Sequence, residues 1–234
     1  MLKSLTALML SVGLSQAALA SSLVLEPAST TALTSVVDDA AVGQLLMRWN
    51  DQFKAGKRRL TLVIDSYGGS VDAGLRLTTG MDILKAKGTN FRCVVTGAAM
   101  SMAFFILAKC NDRYTMPFAG LLWHPIRIRY RGVLTTADAL ALSERLGYYE
   151  SYFKDYIQIS LDADTEYFDQ HWFAESVHHG AVLAAKFPRW IQVVDGLAGM
   201  PMNEVLWIPN PTPFEPFGGE DDNSAELVWT APGH

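Results

Sequence analysis

Two short apolar runs, each followed by a glycine-containing turn and then by a helix-like segment, constrain the fold of this chain more than any other feature. The runs are Leu60–Ile64 and Phe91–Thr96, and both are rich in β-branched and large apolar residues. Continuous apolar runs of this length are typical of strands that are buried on both faces. The alternation of strands and helices therefore predicts an α/β domain with a mainly parallel sheet.

Helices are predicted where apolar residues recur at helical spacing. The longest carries Tyr148, Tyr152 and Tyr156 on one stripe, which is typical of core packing or of a subunit contact. Helices are expected at about 35–55, from the first glycine turn to about 87, at 135–159 and at 165–179, in addition to the helix that carries Ser101.

The first 20 residues are expected to be a secretory signal peptide. Lys3 gives a positive start, Leu5–Leu14 is an apolar run, and Ala18–Ala20 is a small-residue cleavage site. An uncleaved anchor is the alternative. With a cleaved signal peptide, the protein is expected to be secreted or periplasmic. The remaining chain is expected to form an α/β domain at 21–205 and a Pro-rich, acidic and flexible tail at 206–234.

Charge and cysteine content narrow the possible partners. The net charge is −5, and the nearest approach to a basic cluster is Lys57–Arg59, which argues against nucleic acid and anionic membranes as partners. Two cysteines, Cys93 and Cys110, are present. In an exported chain they can form a disulfide or remain two buried thiols, and their spacing decides neither.

Ser101 is a single hydroxyl in the apolar segment 97–105 (GAAMSMAFF), and its position predicts a reactive site. The glycine pair Gly68–Gly69 and the segment that begins at Gly97 each follow a buried strand. They should therefore meet at the carboxyl edge of the sheet, where ligands bind in α/β folds. Glycine lets backbone amides approach a ligand closely, and a helix start offers further amides. A nucleophile with an oxyanion hole is one interpretation, and ordinary core packing is the other.

His124 favours the catalytic interpretation. It ends a predicted strand before Pro125 and supplies the base that a serine nucleophile needs. The orienting carboxylate should come later in the chain. Asp169 is the preferred candidate, with Asp164 and Glu166 as rivals at a helix start, where acidic residues also serve as caps.

Three segments together resemble the proteolytic subunit of the Clp protease family, which has the spiral α/β fold of the crotonase-like superfamily. They are 64–74 (IDSYGGSVDAG), 97–105 (GAAMSMAFF) and 121–127 (LLWHPIR), and the resemblance covers about 35–185. It implies that Ser101 is the nucleophile, His124 the base and Asp169 the third member. It also implies an oxyanion hole formed by the amides of Gly69 and Met102, and a protruding handle helix after His124 through which subunits pair.

The chain departs from the family pattern at several points. Tyr67 stands where the family has proline, and Pro125 follows His124 directly. The segment 168–180 (FDQHWFAESVHHG) resembles the family's ending of an aromatic residue, Ala-Glu-Ala and then Gly, but is a residue or two shorter. An exported chain also has no access to an ATP-driven unfoldase, so no ATPase partner is inferred.

The sequence therefore predicts a serine-type hydrolase, by preference a peptidase, that acts on peptides or proteins as a homo-oligomer without a cofactor. The alternative is a catalytically weak or inactive binding or assembly protein of the cell envelope. An acyl-CoA enzyme of the crotonase type is less favoured because coenzyme A is not expected outside the cytoplasm. A serine–lysine dyad with Lys109 is disfavoured because that residue should point away from the crevice. No metal site is predicted, since His171, His178 and His179 lack a recognised ligand spacing.

Overall fold

The computed structural model describes residues 22–129, 133–199 and 226–229, and a seven-stranded, mostly parallel sheet forms its centre. The sheet order is β10-β6-β5-β3-β2, with β7 paired to β5 and β9 paired to β7. The β7–β9 pair is antiparallel and the other pairs are parallel. Its strands are β2 (Thr30–Leu33), β3 (Arg59–Ser66), β5 (Asn90–Met100), β6 (Asp112–Thr115), β7 (Gly120–Leu122), β9 (His178–His179) and β10 (Gln192–Val193).

Two smaller sheets complete the strand set of the described residues. One pairs β1 (Ser22–Val24) with β11 (Gly196–Ala198) in parallel. The other contains three strands in the order β4-β12-β8, which are β4 (Gly69–Ser70), β12 (Glu226–Trp229) and β8 (Arg127–Arg129). Most of the predicted tail, and the whole of the predicted signal peptide at 1–20, lie outside the described residues. The four residues of β12 are a strand that the sequence did not lead us to predict.

Helices follow strands of the mainly parallel sheet along the chain, which confirms the predicted α/β class. A side-chain oxygen caps several of their N-termini, and α4 begins with a full capping box in which Thr135 and Asp138 each bind the other's amide. No helix in the described part of the chain combines the length and the apolar character needed to cross a membrane. The helices are α1 (Asp39–Lys54), α2 (Val71–Ala86), α3 (Met102–Ala108), α4 (Thr136–Leu161), α5 (Thr165–Ala174) and α6 (Gly180–Lys186).

Strands β3 and β5 are covered on both faces, as their continuous apolar runs predict. Leu62 and Val63 are both fully buried although they point to opposite sides of the sheet. Leu62 belongs to the main core, which includes residues of α1 to α6, whereas Val63 packs with Leu23 and Leu25 on the other face. Burial on both sides holds the carboxyl ends of these strands, which carry the glycine turns, in fixed positions.

Strand β5 extends beyond Gly97, where we expected it to end. Its pairing with β3 shifts there, so that Ile64 pairs with Val95 but Ser66 pairs with Ala99. The carboxylate of Asp65 fills the bulge, because a Cβ on Gly97 would lie 2.3 Å from its Oδ1 atom. This bulge lets β5 continue to Met100 and brings its end beside β7.

The helix expected at 165–179 is shorter than predicted. It ends at Ala174, because Glu175 adopts a left-handed conformation with φ of 51°. His178 and His179 then pair with β7, and Gly180 begins α6 instead of ending a helix. A side chain at Gly180 would collide with the Met116 carbonyl oxygen, which lies 2.2 Å from the Cβ position.

Cys93 and Cys110 form a disulfide, with their Cα atoms 6.0 Å apart. Cys93 lies in β5 and Cys110 lies just after α3, and both are buried. The bridge therefore closes a loop that contains Gly97 and Ser101.

Candidate active site

Ser101 lies at the junction of β5 and α3, in a backbone conformation that few non-glycine residues adopt. Its φ is 59° and its ψ is −126°, and Met102 begins the helix immediately after it. Such a conformation costs on the order of 1–3 kcal/mol and persists only where the surroundings enforce it. Here the Ser101 amide donates to the carbonyl oxygen of Leu122 at 2.9 Å, and its carbonyl accepts from Phe104 at 3.0 Å. A strained serine at a strand-to-helix turn is a typical way to present a nucleophile.

The glycine pair lies directly against Ser101, as the sequence predicted. A Cβ on Gly68, whose φ is +99°, would lie 2.7 Å from the Cβ of Ser101 and 3.0 Å from the amide nitrogen of Met102. Only glycine allows this approach. Gly69 has a φ of +151° and is packed against the backbone of Val37. The amides proposed for the oxyanion hole thus belong to two adjoining segments.

The Met102 amide is suited to binding a developing negative charge. Met102 is the first residue of α3, and the first amides of a helix have no acceptor within the helix itself. Its side chain is fully buried and fills the space beside Gly74, where a Cβ would lie 2.3 Å from the Met102 methyl carbon. The side chain therefore anchors the backbone that carries the amide.

His124 follows β7, whose last residue is paired with the end of β5. The Ser101 amide donates to the carbonyl oxygen of Leu122. His124 is therefore only two residues along the chain from a direct contact with Ser101. Its ring is fully buried, and burial lowers the pKa of His124 to about 4, against smaller raising effects from the Pro125 carbonyl and the charge of Glu175. The imidazole is therefore neutral at neutral pH, which is the state that a general base requires.

The Pro125 carbonyl sets the tautomer of His124. The Nδ1 atom lies 2.6 Å from the carbonyl oxygen of Pro125. A carbonyl can only accept, so Nδ1 carries the proton and Nε2 is the basic nitrogen. In a serine–histidine–aspartate triad, a carboxylate usually binds Nδ1. Here the backbone carbonyl occupies that position.

The predicted carboxylates are engaged elsewhere. Asp169 forms an ion pair with Lys154 on α4, at 2.8 Å. Asp164 caps α5 by accepting from the amide of Tyr167 at 2.8 Å, which is the ordinary structural role considered for it. Glu166 lies in the first turn of the same helix. The role of Asp169 as the third member stays a prediction.

Glu175 is a carboxylate whose charge acts on His124, and sequence reasoning did not select it. It raises the pKa of His124, and it forms an ion pair with Arg127, three residues after the histidine. Its left-handed backbone turns the chain from α5 towards β9. The available signal was the Ala174–Glu175 pair, which matches the Ala-Glu of the family ending.

The hydroxyl of Ser101 is fully buried, and it has no hydrogen-bond partner among the residues that the structure describes. A buried hydroxyl without a partner is unfavourable in a core that has only a structural role. Catalytic hydrogen bonds are often formed only when substrate binds, so this geometry suits an unliganded site.

The other candidate groups are bound away from Ser101. Lys109 lies at the end of α3, and its amine binds the Asp82 carboxylate of α2 at 3.0 Å. The ring of His178 stacks on Trp123 with centroids 4.5 Å apart, whereas His179 is exposed. The ring of His178 is thus part of an aromatic cluster.

The chain matches the Clp protease family over residues 27–158, which is more than half of its 234 residues. It is 29% identical over 82 residues to the ATP-dependent Clp protease proteolytic subunit 2 of Borreliella burgdorferi, a stretch that covers 35% of this chain and 41% of that relative. The chain thus spans less than half the length of this curated relative. The family match includes Ser101 and His124 but ends before Asp169 and Glu175. The predicted resemblance is confirmed, and this chain belongs to the Clp protease family.

Proposed function

We propose that this chain is an exported serine peptidase in which Ser101 is the nucleophile and His124 is the general base. The observation that carries the proposal is the strained backbone of Ser101, held between the Gly68 turn and the start of α3. Family membership supports peptidase chemistry. The disulfide supports an oxidising compartment, because such bonds are rare in reducing ones.

In the proposed reaction, Ser101 Oγ attacks the carbonyl carbon of a peptide bond while His124 Nε2 accepts its proton. The negative charge on the carbonyl oxygen is stabilised by the amides of Gly69 and Met102, and each such donor typically contributes on the order of 10²–10³ in rate. The proton passes from His124 to the departing amine. Water then hydrolyses the acyl-enzyme with the histidine again as base.

Two carboxylates compete for the third role in this proposal. Asp169 is the one that the family resemblance implies, and Glu175 is the one whose charge acts on His124 in this structure. Since the Pro125 carbonyl already fixes the tautomer, the carboxylate is needed chiefly to stabilise the imidazolium that forms during the reaction. That role requires only a nearby negative charge, which Glu175 supplies.

Subunit pairing through α4 is part of the same proposal. The helix is 26 residues long and exposes large apolar side chains, including Leu140, Tyr148 and Ile159, which are 61%, 71% and 78% exposed. Apolar groups spaced along one exposed helix favour contact with another protein surface. Sedimentation velocity of the purified protein measures whether it associates.

The nucleophile is tested with an alkyl fluorophosphonate, which forms a covalent adduct with activated serines. Wild type is expected to be labelled, whereas Ser101→Ala and His124→Ala are expected to lose labelling. Ser143→Ala, which changes an exposed serine on α4, is the matched control and should be labelled like wild type. Equal labelling of wild type and Ser101→Ala removes Ser101 from the role.

A second candidate function is an inactive binding or assembly protein of the cell envelope. The full burial of the Ser101 hydroxyl favours it, because substrate cannot reach an atom without exposed surface. A wild-type protein that forms a defined oligomer, yet is never labelled under any condition that preserves its fold, supports this function against the peptidase.

A further inference from the structure

The tail strand β12 lies between two strands that flank the candidate active site. It pairs antiparallel with β4, where Val228 faces Ser70 and Trp229 faces Gly69. On its other side it pairs antiparallel with β8, where Glu226 faces Arg129 and Val228 faces Arg127. Residues near the C-terminal end of the chain therefore form the middle strand of this small sheet.

Without β12, the space between β4 and β8 would have the width of one strand. Neighbouring strands lie roughly 4.8 Å apart, so β4 and β8 are separated by about 9.6 Å. Each then presents backbone donors and acceptors toward the other. Two such edges bind one extended peptide by adding it as a strand. In this structure the occupant is β12.

Both registers place the carboxyl end of β12 at the catalytic end of the gap. Trp229 faces Gly69, the residue next to the Gly68 that touches Ser101. Val228 faces Arg127, which is three residues after His124, whereas Glu226 faces the far end of β8. A peptide bound in this direction brings successive carbonyl groups toward Ser101, as a substrate must.

The burial of the site agrees with an occupied gap. Ser101 and His124 both have 0% exposure, so a peptide carbonyl cannot reach the hydroxyl unless a covering element moves. Strand β12 is far along the chain from both of the strands that it pairs with, β4 (Gly69–Ser70) and β8 (Arg127–Arg129). It can leave the gap without unfolding either strand beside it.

We propose that Glu226–Trp229 is an internal, substrate-like strand that inhibits the peptidase by occupying its peptide-binding gap. The proposal rests on the proposed function. An occupant on the same chain has a high local concentration, so it competes well even when each contact is weak. Activity then depends on the fraction of molecules whose gap is open.

The experiment compares the full chain with two truncated forms, using a peptidyl phosphonate that needs the gap and an alkyl fluorophosphonate that reports the activated serine. Deletion of residues 226–234 is expected to raise the rate of peptidyl phosphonate labelling about tenfold, corresponding to an open fraction of about one tenth in the full chain. Deletion of residues 230–234 retains β12 and should leave the rate within about twofold of the full chain.

Val228→Pro tests the same point without truncation. Proline removes an amide hydrogen and restricts the backbone in the middle strand of the sheet, where Val228 is paired with both neighbouring strands. Strand β12 should therefore dissociate, and labelling should rise as in the longer deletion. An unchanged far-ultraviolet spectrum and melting temperature for the domain exclude a folding defect. A synthetic peptide with the sequence of residues 225–230 should slow the labelling of the chain that lacks 226–234.

The outcomes separate this inference from the proposed function. Equal peptidyl labelling of the full chain and of the form that lacks 226–234 overturns the inhibitory role, even though the serine is active. Absence of labelling by either reagent in every form overturns the peptidase itself.

Discussion

The two halves of the candidate site are built in different ways. On the nucleophile side, close backbone contacts among β3, β5 and α3 fix Ser101 and the two amides. A Cβ placed on Gly68 would lie only 2.7 Å from Ser101 Cβ, so a larger residue does not fit there. On the carboxylate side, Asp169 and Glu175 are held by ion pairs with side chains, Lys154 and Arg127. Backbone packing therefore determines the geometry of the nucleophile side, whereas ion pairs between side chains determine the geometry of the carboxylate side.

This difference explains why one half matches a known family more closely than the other. A backbone amide cannot be moved without refolding a strand or a helix start. A carboxylate has only to bring a negative charge near the imidazole, and several positions can do so. We therefore expect substitutions on the nucleophile side to have larger effects than substitutions on the carboxylate side.

Among variants that keep Ser101 and His124, the largest effect is expected for Gly68→Ala. The new methyl group must displace Ser101 or the Met100 carbonyl, which is 2.8 Å from the Cβ position, and a shift of about 1 Å costs on the order of 10²-fold in rate. The loss is measured as the second-order rate of fluorophosphonate labelling. Gly88→Ala is the matched control, because Gly88 has a similar φ of +88° but no neighbouring atom within 4 Å. Similar rates for both variants would mean that strain, and not the contact with Ser101, matters at Gly68.

Removal of the disulfide should affect stability rather than chemistry. The bridge links residues 17 apart, and Cys93→Ala with Cys110→Ala is expected to lower the free energy of unfolding by about 3 kcal/mol in the chain-entropy description. Urea unfolding of the variant, and of wild type with and without a reducing agent, separates loss of the bond from loss of sulfur packing. If the free energy of unfolding falls by less than about 1 kcal/mol in the variant and in reduced wild type, the rigidity of the nucleophile side comes from packing alone.

The carboxylate side is tested by paired charge-neutral variants. Glu175→Gln is expected to reduce the labelling rate about tenfold, because the charge of Glu175 raises the pKa of His124 and so stabilises the imidazolium that forms in the reaction. Asp169→Asn should change it by less than about twofold, because the Asp169 carboxylate is paired with Lys154 on α4. The opposite order of effects would establish Asp169 as the third member and imply a rearranged α5.

The smallest effect concerns pH. Burial lowers the pKa of His124 to about 4, so the base stays neutral in mildly acidic solution. The labelling rate should therefore be nearly constant from pH 7 down to pH 5 and reach half its maximum near pH 4. An exposed histidine would have lost half its activity near pH 6.5. A midpoint above pH 6 would mean that His124 is solvated when the enzyme reacts.

Much of the nucleophile side could be predicted from the sequence because its signals are local. Continuous apolar runs mark β3 and β5, and the glycine turn and the lone hydroxyl follow them in order. The extension of β5 to Met100 was missed because 98–100 are small or flexible residues that suit a helix equally well. The bulge that prolongs the strand depends on Asp65, which lies on a different strand.

The carboxylate side and the tail could not be predicted in the same way. The position of Glu175 depends on a left-handed residue after Ala174, where no glycine marks the end of the helix. Strand β12 lies in an acidic, Pro-rich region, and its partners are almost 100 to 160 residues away. Contacts at such separation leave no periodic signal within the segment itself.

The disulfide also has a consequence for how the protein is prepared. Ser101 lies on a loop whose two ends, Cys93 and Cys110, are fastened together. In material made in a reducing cytoplasm the same loop is held only by its packing, so two samples of one sequence can differ in how firmly the nucleophile is placed. The oxidation history of a preparation therefore belongs with its pH and temperature among the conditions of any activity measurement.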